Sequence, residues 1–456
     1  MEEMLAAVFS IVSLAALPDC VPLRWSSSAP TSLELLRDTP FQCLVLDRAH
    51  WSAAFVEAAS ARGIRTLGAV RTPEDLAAAG TSGLGGFVLE GDFEPAAVAA
   101  LASKAPVAEL GSRSRLLTLR DAPVAGTTQA LWPGVRPPDE NNKTQAAPSG
   151  APWINTNGGF LRFARALVPA TLWIGQRVPP GLSPTVEQYI AAMADAYVGG
   201  ARWIVTLDDD FSSRLLAGEA RAVRDWKRLC ASAAFFEQKV SWLRQSPAGL
   251  LAIVQDVDSG AALSAGLLDM LGSRHTPTRI IPTRALTPES LRGVSLAVNV
   301  EPEAVSSAGR EALRAYTRSG GKLFNSPPGW HFPKADGFVL ALDKLSKDEV
   351  AHFDLIWKQI TSQTWNRNLG ARLYNVASML SHLVSTPDGA RSYLFLVNYS
   401  GYAAESVTVH VPGRFSSALL HTPEAAGQKL EAYEIEEGTG IDIARFGVVG
   451  IVELVR

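Results

Sequence analysis

The stretch ARWIVTLDDDF, residues 201–211, runs an apolar, strand-like segment into three adjacent carboxylates, Asp208, Asp209 and Asp210. Crowded like charges disfavour joint ionisation, so at least one pKa rises and one carboxyl can stay protonated as a general acid. Alternation along a strand sends Asp208 and Asp210 one way and Asp209 the other, so at most two share a site. Other apolar runs also close in carboxylates: Asp47 ends QCLVLD, Glu90 and Asp92 end GFVLEGD, and Glu109 lies in PVAELGS. Glu90, Glu109, Asp208 and Asp209 are the candidate acid, base and nucleophile. An aspartate cluster can instead hold Ca²⁺ or Mg²⁺. The DxDxDG spacing of a calcium loop is absent, however, and no metal or cofactor is expected.

Aromatic and amide side chains fall near the same run ends. Trp25 follows the first run, Trp132 lies late in the sixth, and Trp153, Asn155 and Asn157 lie in SGAPWINTNGG. Together with Asp47, Asp92 and Gln176 they form the candidate binding set. Carboxylates for proton transfer, flat faces for a pyranose ring and amides for hydroxyls are the tools of carbohydrate chemistry. The proline-rich Pro133–Trp153 segment is longer than a usual strand-to-helix loop and is expected to fold over the rim. Asn157 is placed to cap the helix that follows.

These side chains need a frame. Eight apolar runs (20–25, 42–47, 64–70, 86–92, 106–112, 127–135, 170–178 and 202–210) alternate with amphipathic segments such as WSAAFVEAASARG and SPTVEQYIAAMADAYVGG. Eight strand–helix units predict a (β/α)8, TIM-like barrel over residues 20–245, and a doubly wound open sheet is the competing layout. In such a barrel the strand ends converge on one rim, which is why scattered carboxylates can form one site.

After Gln245 the pattern resets. GLLAIVQDV, TRIIPT, SLAVNV and KLFNSP, with helices between, predict a flavodoxin- or amidotransferase-like open α/β domain over 246–362. It lacks GxGxxG and a P-loop, and is read as structural or oligomer-forming. Closely spaced alternating runs from 363 to 456 predict an antiparallel β-sandwich.

The 456 residues carry a formal charge of −3 and no basic block, which excludes a nucleic-acid partner. Cys20, Cys43 and Cys230 form no CxxC pair and read as buried free thiols. Residues 4–17, MLAAVFSIVSLAAL, have the length of a signal-peptide core and are too short to span a bilayer, although Glu2 and Glu3 stand where a signal is positive. A segment 1–19 for export, to the periplasm or outside, is expected, with the cytoplasm as the alternative.

LAVNVEPEAVSSAGREALRAYTRSGGKLF and SYLFLVNYSGYAAESVTVHV, taken with the order of the three parts, resemble the family 42 β-galactosidases and related barrel glycoside hydrolases. That resemblance implies an acid/base Glu after an Asn at the end of strand four, and a nucleophilic Glu at the end of strand seven. Glu90 stands at the first place but follows Leu89, and strand seven offers Gln176 and no carboxylate. A different pair, Glu90 or Glu109 with Asp208 or Asp209, is therefore expected to act on a carbohydrate substrate. The alternatives are a barrel that binds sugar without turnover, and an assembly protein with the middle domain as its oligomer interface.

Overall fold

The computed structural model describes Leu17 and residues 19–456, apart from 80–81, 135–154, 259–265, 333–345, 365–367, 377 and 426. The signal-like segment, most of Pro133–Trp153 and Trp153 itself lie outside the described residues.

The first nine strands are β1 (Val21–Trp25), β2 (Phe41–Leu46), β3 (Arg65–Val70), β4 (Phe87–Glu90), β5 (Val107–Gly111), β6 (Val124–Thr127), β7 (Thr171–Ile174), β8 (Arg202–Trp203) and β9 (Val205–Thr206). They form one sheet in the order β8-β7-β6-β5-β4-β3-β2-β1-β9, and every pairing given is parallel. β8 and β9 are two halves of one run, either side of Ile204: the first bonds to β7 and the second to β1. The ring is thereby closed, and the fold is the eight-unit barrel rather than the open sheet.

Two sequence expectations shift. The sixth strand is Val124–Thr127, not 127–135, because PVAGT supplies the residues that pair with Ala108–Gly111. The eighth run ends at Thr206, and Asp208 starts a helix instead of ending a strand.

The barrel helices are α1 (Ala53–Ser60), α2 (Pro73–Ala79), α3 (Pro95–Ala102), α4 (Arg113–Leu116), α5 (Gly158–Arg165), α6 (Val186–Val198), α7 (Asp209–Leu216) and α8 (Ala220–Leu243). Strand alternation sorts side chains into two layers. Val45, Leu67, Ala69, Val88, Ala108, Leu110, Val124, Trp173 and Ile204 fill the interior. Leu23, Leu44, Leu46, Val70, Phe87, Leu89, Ala125, Leu172 and Val205 face outward, in the larger core shared with the helices. Cys20 and Cys43 sit in the interior layer and are joined by a disulfide, correcting the expectation of free thiols. Their sequence neighbours gave no sign of pairing because it is the parallel register of β1 on β2 that sets the two side chains together. Cys230 is free.

Beyond the barrel, β10 (Ser246–Pro247) joins the last domain, while β11 (Leu251–Gln255), β12 (Thr278–Pro282), β13 (Leu296–Asn299) and β14 (Lys322–Asn325) form a parallel sheet in the order β12-β11-β13-β14. Helices α9 (Gly266–Ser273), α10 (Ser307–Arg318) and α11 (Lys347–Ser362) accompany it. The C-terminal strands are β15 (Arg372–Tyr374), β16 (Met379–Ser385), β17 (Arg391–Asn398), β18 (Ala404–Pro412), β19 (Ser417–His421), β20 (Gln428–Leu430), β21 (Ala432–Ile435), β22 (Gly438–Phe446) and β23 (Val449–Val455). Two antiparallel sheets, β10-β16-β17-β23-β19-β20 and β15-β18-β22-β21, close over their own apolar layer. The run KLEAYEI splits at Glu431 and serves both sheets.

Candidate active site

The C-terminal ends of the barrel strands carry an interlocked set of charges. On β1, interior parity runs from Cys20 through Pro22 to Arg24. The same parity delivers Asp47 after β2, Arg71 after β3, Glu90 on β4 and Arg177 after β7. Arg24 Nη1 donates to Asp47 Oδ1 at 2.7 Å, and its Nη2 donates to Glu90 Oε1. Arg71 spans the same two carboxylates, with Nε to Glu90 Oε2 at 2.6 Å and Nη2 to Asp47 Oδ1 at 2.6 Å. Arg177 Nη2 reaches both Asp47 oxygens, at 3.0 and 2.8 Å.

Local structure holds these groups in place. The backbone amides of Arg71 and Thr72 donate to Asp75 Oδ2, and Asp75 N donates back to Thr72 Oγ1, a reciprocal cap that starts α2 and pins Arg71. Trp132 Nε1 donates to the Arg177 carbonyl at 3.3 Å and fixes the loop after β7. Asp47 opens a 3-10 turn, with His50 N donating to its carbonyl at 2.8 Å.

Three guanidiniums against two carboxylates leave the mouth one positive charge in excess. Burial alone would raise the Asp47 pKa, but Arg24, Arg71 and Arg177 override it and hold the carboxyl well below the usual range. A cleft of about 260 Å³ is lined by Glu90 and the three arginines together with Thr128, Gly175, Gln176, Ile204 and Thr206, with Asp47 behind the arginines and not in the lining. Each Glu90 oxygen, although engaged by a guanidinium, keeps a further lone pair for a substrate or water.

The structure brings together Glu90, Asp47 and Gln176 from the expected set, and moves the rest elsewhere. Glu109 pairs in register with Leu89 and Ala125, which both face the helix layer, so it points away from the mouth; its ion-pair partner is Arg115, at 3.5 Å. Asp208 is the N-cap of α7: Oδ1 accepts from Phe211 N at 3.0 Å and Oδ2 from the Tyr189 hydroxyl at 2.8 Å. Asp209 and Asp210 occupy the first turn, where acids favour the positive end of the helix dipole, and Asp210 accepts from Arg214 at 2.9 Å. The triple-aspartate motif is thus a helix start. Among the described residues, no group of three or more His, Cys, Asp or Glu side chains could hold a metal.

The two expected sugar platforms among the described residues, Trp25 and Trp132, are buried. Trp25 faces outward and donates to Ser32 Oγ at 3.0 Å, with its ring 6.3 Å from Trp226. Trp132 packs edge-on against Tyr189 and Trp203. Asp92 accepts from the amide and hydroxyl of Ser112, both at 2.7 Å, tying the β4 end to the start of α4.

Asn155 and Asn157 are buried rather than displayed on the rim. Asn157 occupies the N-cap position of α5 without making the side-chain cap. It exchanges bonds with the backbone of Leu131 and donates to Asp195 Oδ2 from both its amide nitrogen and Nδ2, each at 2.9 Å. Asp195 also accepts from Thr156 Oγ1 and, at 2.8 Å, from the Tyr399 hydroxyl of the sandwich. Beside this cluster, Gly159 N donates at 2.9 Å to Asp269 on α9 of the middle domain. These residues lock three units together.

Sequence reading missed Arg24, Arg71 and Arg177 because carboxylates, aromatics and amides were counted at the run ends and cations were not. Their signal was parity: each stands two residues beyond an interior apolar residue, or at the same level beyond a glycine.

No protein-family model and no curated protein matches the chain. Solved structures do. An α-L-fucosidase isoenzyme 2 from Paenibacillus thiaminolyticus superposes with a TM-score of 0.61 at 10% identity, over 95% of this chain and 99% of that one. The exo-carrageenase GH42 from Bacteroides ovatus gives 0.41 at 11% identity, over 79% and 53%. A cold-adapted β-galactosidase from Rahnella sp. R3 gives 0.42 at 11%, over 78% and 65%. At such identity the likeness is one of fold, and the first covers nearly the full length of both chains. The chain shares an overall fold with the first of these, and its own elements are a barrel, an α/β sheet and a β-sandwich.

Proposed function

We propose that the protein is a glycoside hydrolase that works at the barrel mouth, with Glu90 as the carboxylate that attacks the sugar or activates water. The observation that carries this reading is the convergence of Asp47 and Glu90 on shared guanidiniums at the strand ends. Asp47, held as an anion, is unsuited to donate a proton and serves to orient Arg24 and Arg71 around Glu90. The excess positive charge favours sugars that bear a carboxylate or sulfate, so acidic glycosides belong first in any panel.

A second reading rests on a specific observation. Both Glu90 oxygens accept from arginine, and among the described lining residues there is no other carboxyl to act as acid. A barrel that keeps its cleft but binds sugar without turnover has this pattern. Screening neutral and acidic aryl glycosides and polysaccharides with wild-type protein and Glu90→Gln separates the two. Turnover lost in the variant supports hydrolysis; saturable binding with no product in either supports the binding protein.

Export belongs to the same proposal. The Cys20–Cys43 disulfide suits an oxidising compartment, and among the described residues no helix is long and apolar enough to cross a membrane. Use of the middle domain as an oligomer interface remains a proposal that sedimentation of the purified protein would test.

A further inference from the structure

A groove runs from the barrel rim to the C-terminal sandwich. Its rim part, about 420 Å³, is lined by residues 183–187 of the segment after β7, by Asp208 and Asp210 at the start of α7, and by Arg221 and Arg228 of α8. Its sandwich part, about 250 Å³, is lined by Ile190, Tyr402, Arg445 and Val448 among others. Glu187 and Arg228, an ion pair at 2.9 Å between α6 and α8, line both parts, so the two meet there. The groove also borders the barrel mouth. After β7, residues 175–177 line the mouth and 183–187 the groove; after β9, Thr206 lines the mouth and Asp208 the groove. Two residues of chain span at most ~7 Å, so the two clefts are neighbours across the end of β9.

Tyr402 stands at the sandwich end of the groove and is 68% exposed, the most exposed large apolar side chain among the described residues. Its backbone is nonetheless fixed. The Tyr402 carbonyl accepts from Asn398 Nδ2 at 2.7 Å and from Ser400 Oγ at 2.9 Å, and Asn398 Nδ2 also donates to the Gly447 carbonyl at 3.1 Å. A tied turn thus holds an aromatic side chain out to solvent beside a cleft, where it supplies contact area at the low entropic cost of two χ angles. The charged lining groups are accessible as well, and they are paired within the groove: Arg228 with Glu187, Arg214 with Asp210 at 2.9 Å, and Arg221 with Asp225 at 3.9 Å, with side-chain exposures from 28 to 76%. Each pair offers donors and acceptors side by side without net charge. A sugar hydroxyl can donate to the carboxylate and accept from the guanidinium, so such pairs suit uncharged hydroxyls better than an anion.

We propose that this groove is a second binding site for neutral units of an oligosaccharide chain, with Tyr402 as its stacking platform and the Arg228–Glu187 pair bonding hydroxyls. The proposal rests on the reading of the barrel mouth as a sugar site. A chain with one unit in the mouth passes over the end of β9 into the groove, and its further units bind there at the high effective concentration that the first unit confers. The ligand is therefore a chain of sugars rather than a single glycoside.

The test is calorimetry of the full chain carrying Glu90→Gln, with cello-, xylo- and manno-oligosaccharide ladders from one unit to six, beside turnover of aryl monoglycosides by the chain with Glu90 intact. Affinity in at least one ladder should rise roughly tenfold or more with length. Tyr402→Ala, an exposed change, should abolish that rise and leave monoglycoside turnover as it was, and Arg228→Gln should reduce the rise severalfold. Affinity flat with length in every ladder overturns the proposal, as does a rise that survives in Tyr402→Ala. Flat ladders with monoglycoside turnover strike the groove and leave the mouth standing, whereas a Tyr402-dependent rise with no turnover of any glycoside supports the groove and strikes hydrolysis at the mouth.

Discussion

Replacing Asp269 by asparagine tests how charge is managed at the junction of the three units. Burial pushes the Asp269 carboxyl up to about 8 from an ordinary 3.8, against the pull of the Gly159 amide and of Arg162 and Arg113. The folded chain therefore keeps a proton that the unfolded chain releases above pH ~4. Stability from this group is complete below that pH and falls as pH rises towards 8. At ~1.36 kcal/mol per pH unit, roughly 4 kcal/mol is lost between pH 5 and pH 8. Asparagine retains an oxygen for Gly159 N and has no proton to lose. In urea unfolding followed by tryptophan fluorescence, the difference between variant and wild type should move in the variant's favour by about that amount across this range. The opposite picture has an ionised Asp269 paired with Arg162. In that case the variant would lose ~3–5 kcal/mol across pH 5–8 with no change in the difference, and that result refutes the reasoning.

Other outcomes follow from the same geometry. Tyr399→Phe removes one of the donors to Asp195 and should cost about 1–2 kcal/mol in the same unfolding assay, leaving secondary structure intact. Opening the Cys20–Cys43 loop, 23 residues apart, by paired serine substitution should cost ~3 kcal/mol, and reducing agent should lower the melting temperature of wild type but not of that variant. Asp47→Asn should destabilise the chain above pH ~4, where the depressed carboxyl is charged and paired. The penalty should shrink as pH falls further, since the stabilisation is lost as Asp47 protonates in wild type.

Much of the frame was legible because it rests on local patterns. Apolar runs with helices between them gave the barrel, and the alternating C-terminal runs gave the sandwich. The site was harder, because a carboxylate at a strand end has several uses that only tertiary context separates. Asp208 follows the strand by two residues and precedes Phe211 by three, which is also N-cap spacing, so a helix start and a catalytic rim look alike. Glu109 was misplaced by one step of alternation: with Ala108 and Leu110 filling the interior, it must face out. Asn157 and Trp132 carry chemistry suited to sugars, but their side chains turn inward, Asn157 onto Asp195 and Trp132 against Tyr189. The Cys20–Cys43 pair was invisible because it depends on which strands become neighbours.

The central claim is that chemistry occurs at the mouth shared by Asp47 and Glu90. Its most direct test is turnover of a panel of acidic and neutral glycosides by wild type, Glu90→Gln and Glu109→Gln, with circular dichroism to confirm the fold of each. The account predicts turnover abolished in Glu90→Gln and unchanged in Glu109→Gln. Turnover that survives in Glu90→Gln, or is lost only in Glu109→Gln, would contradict it.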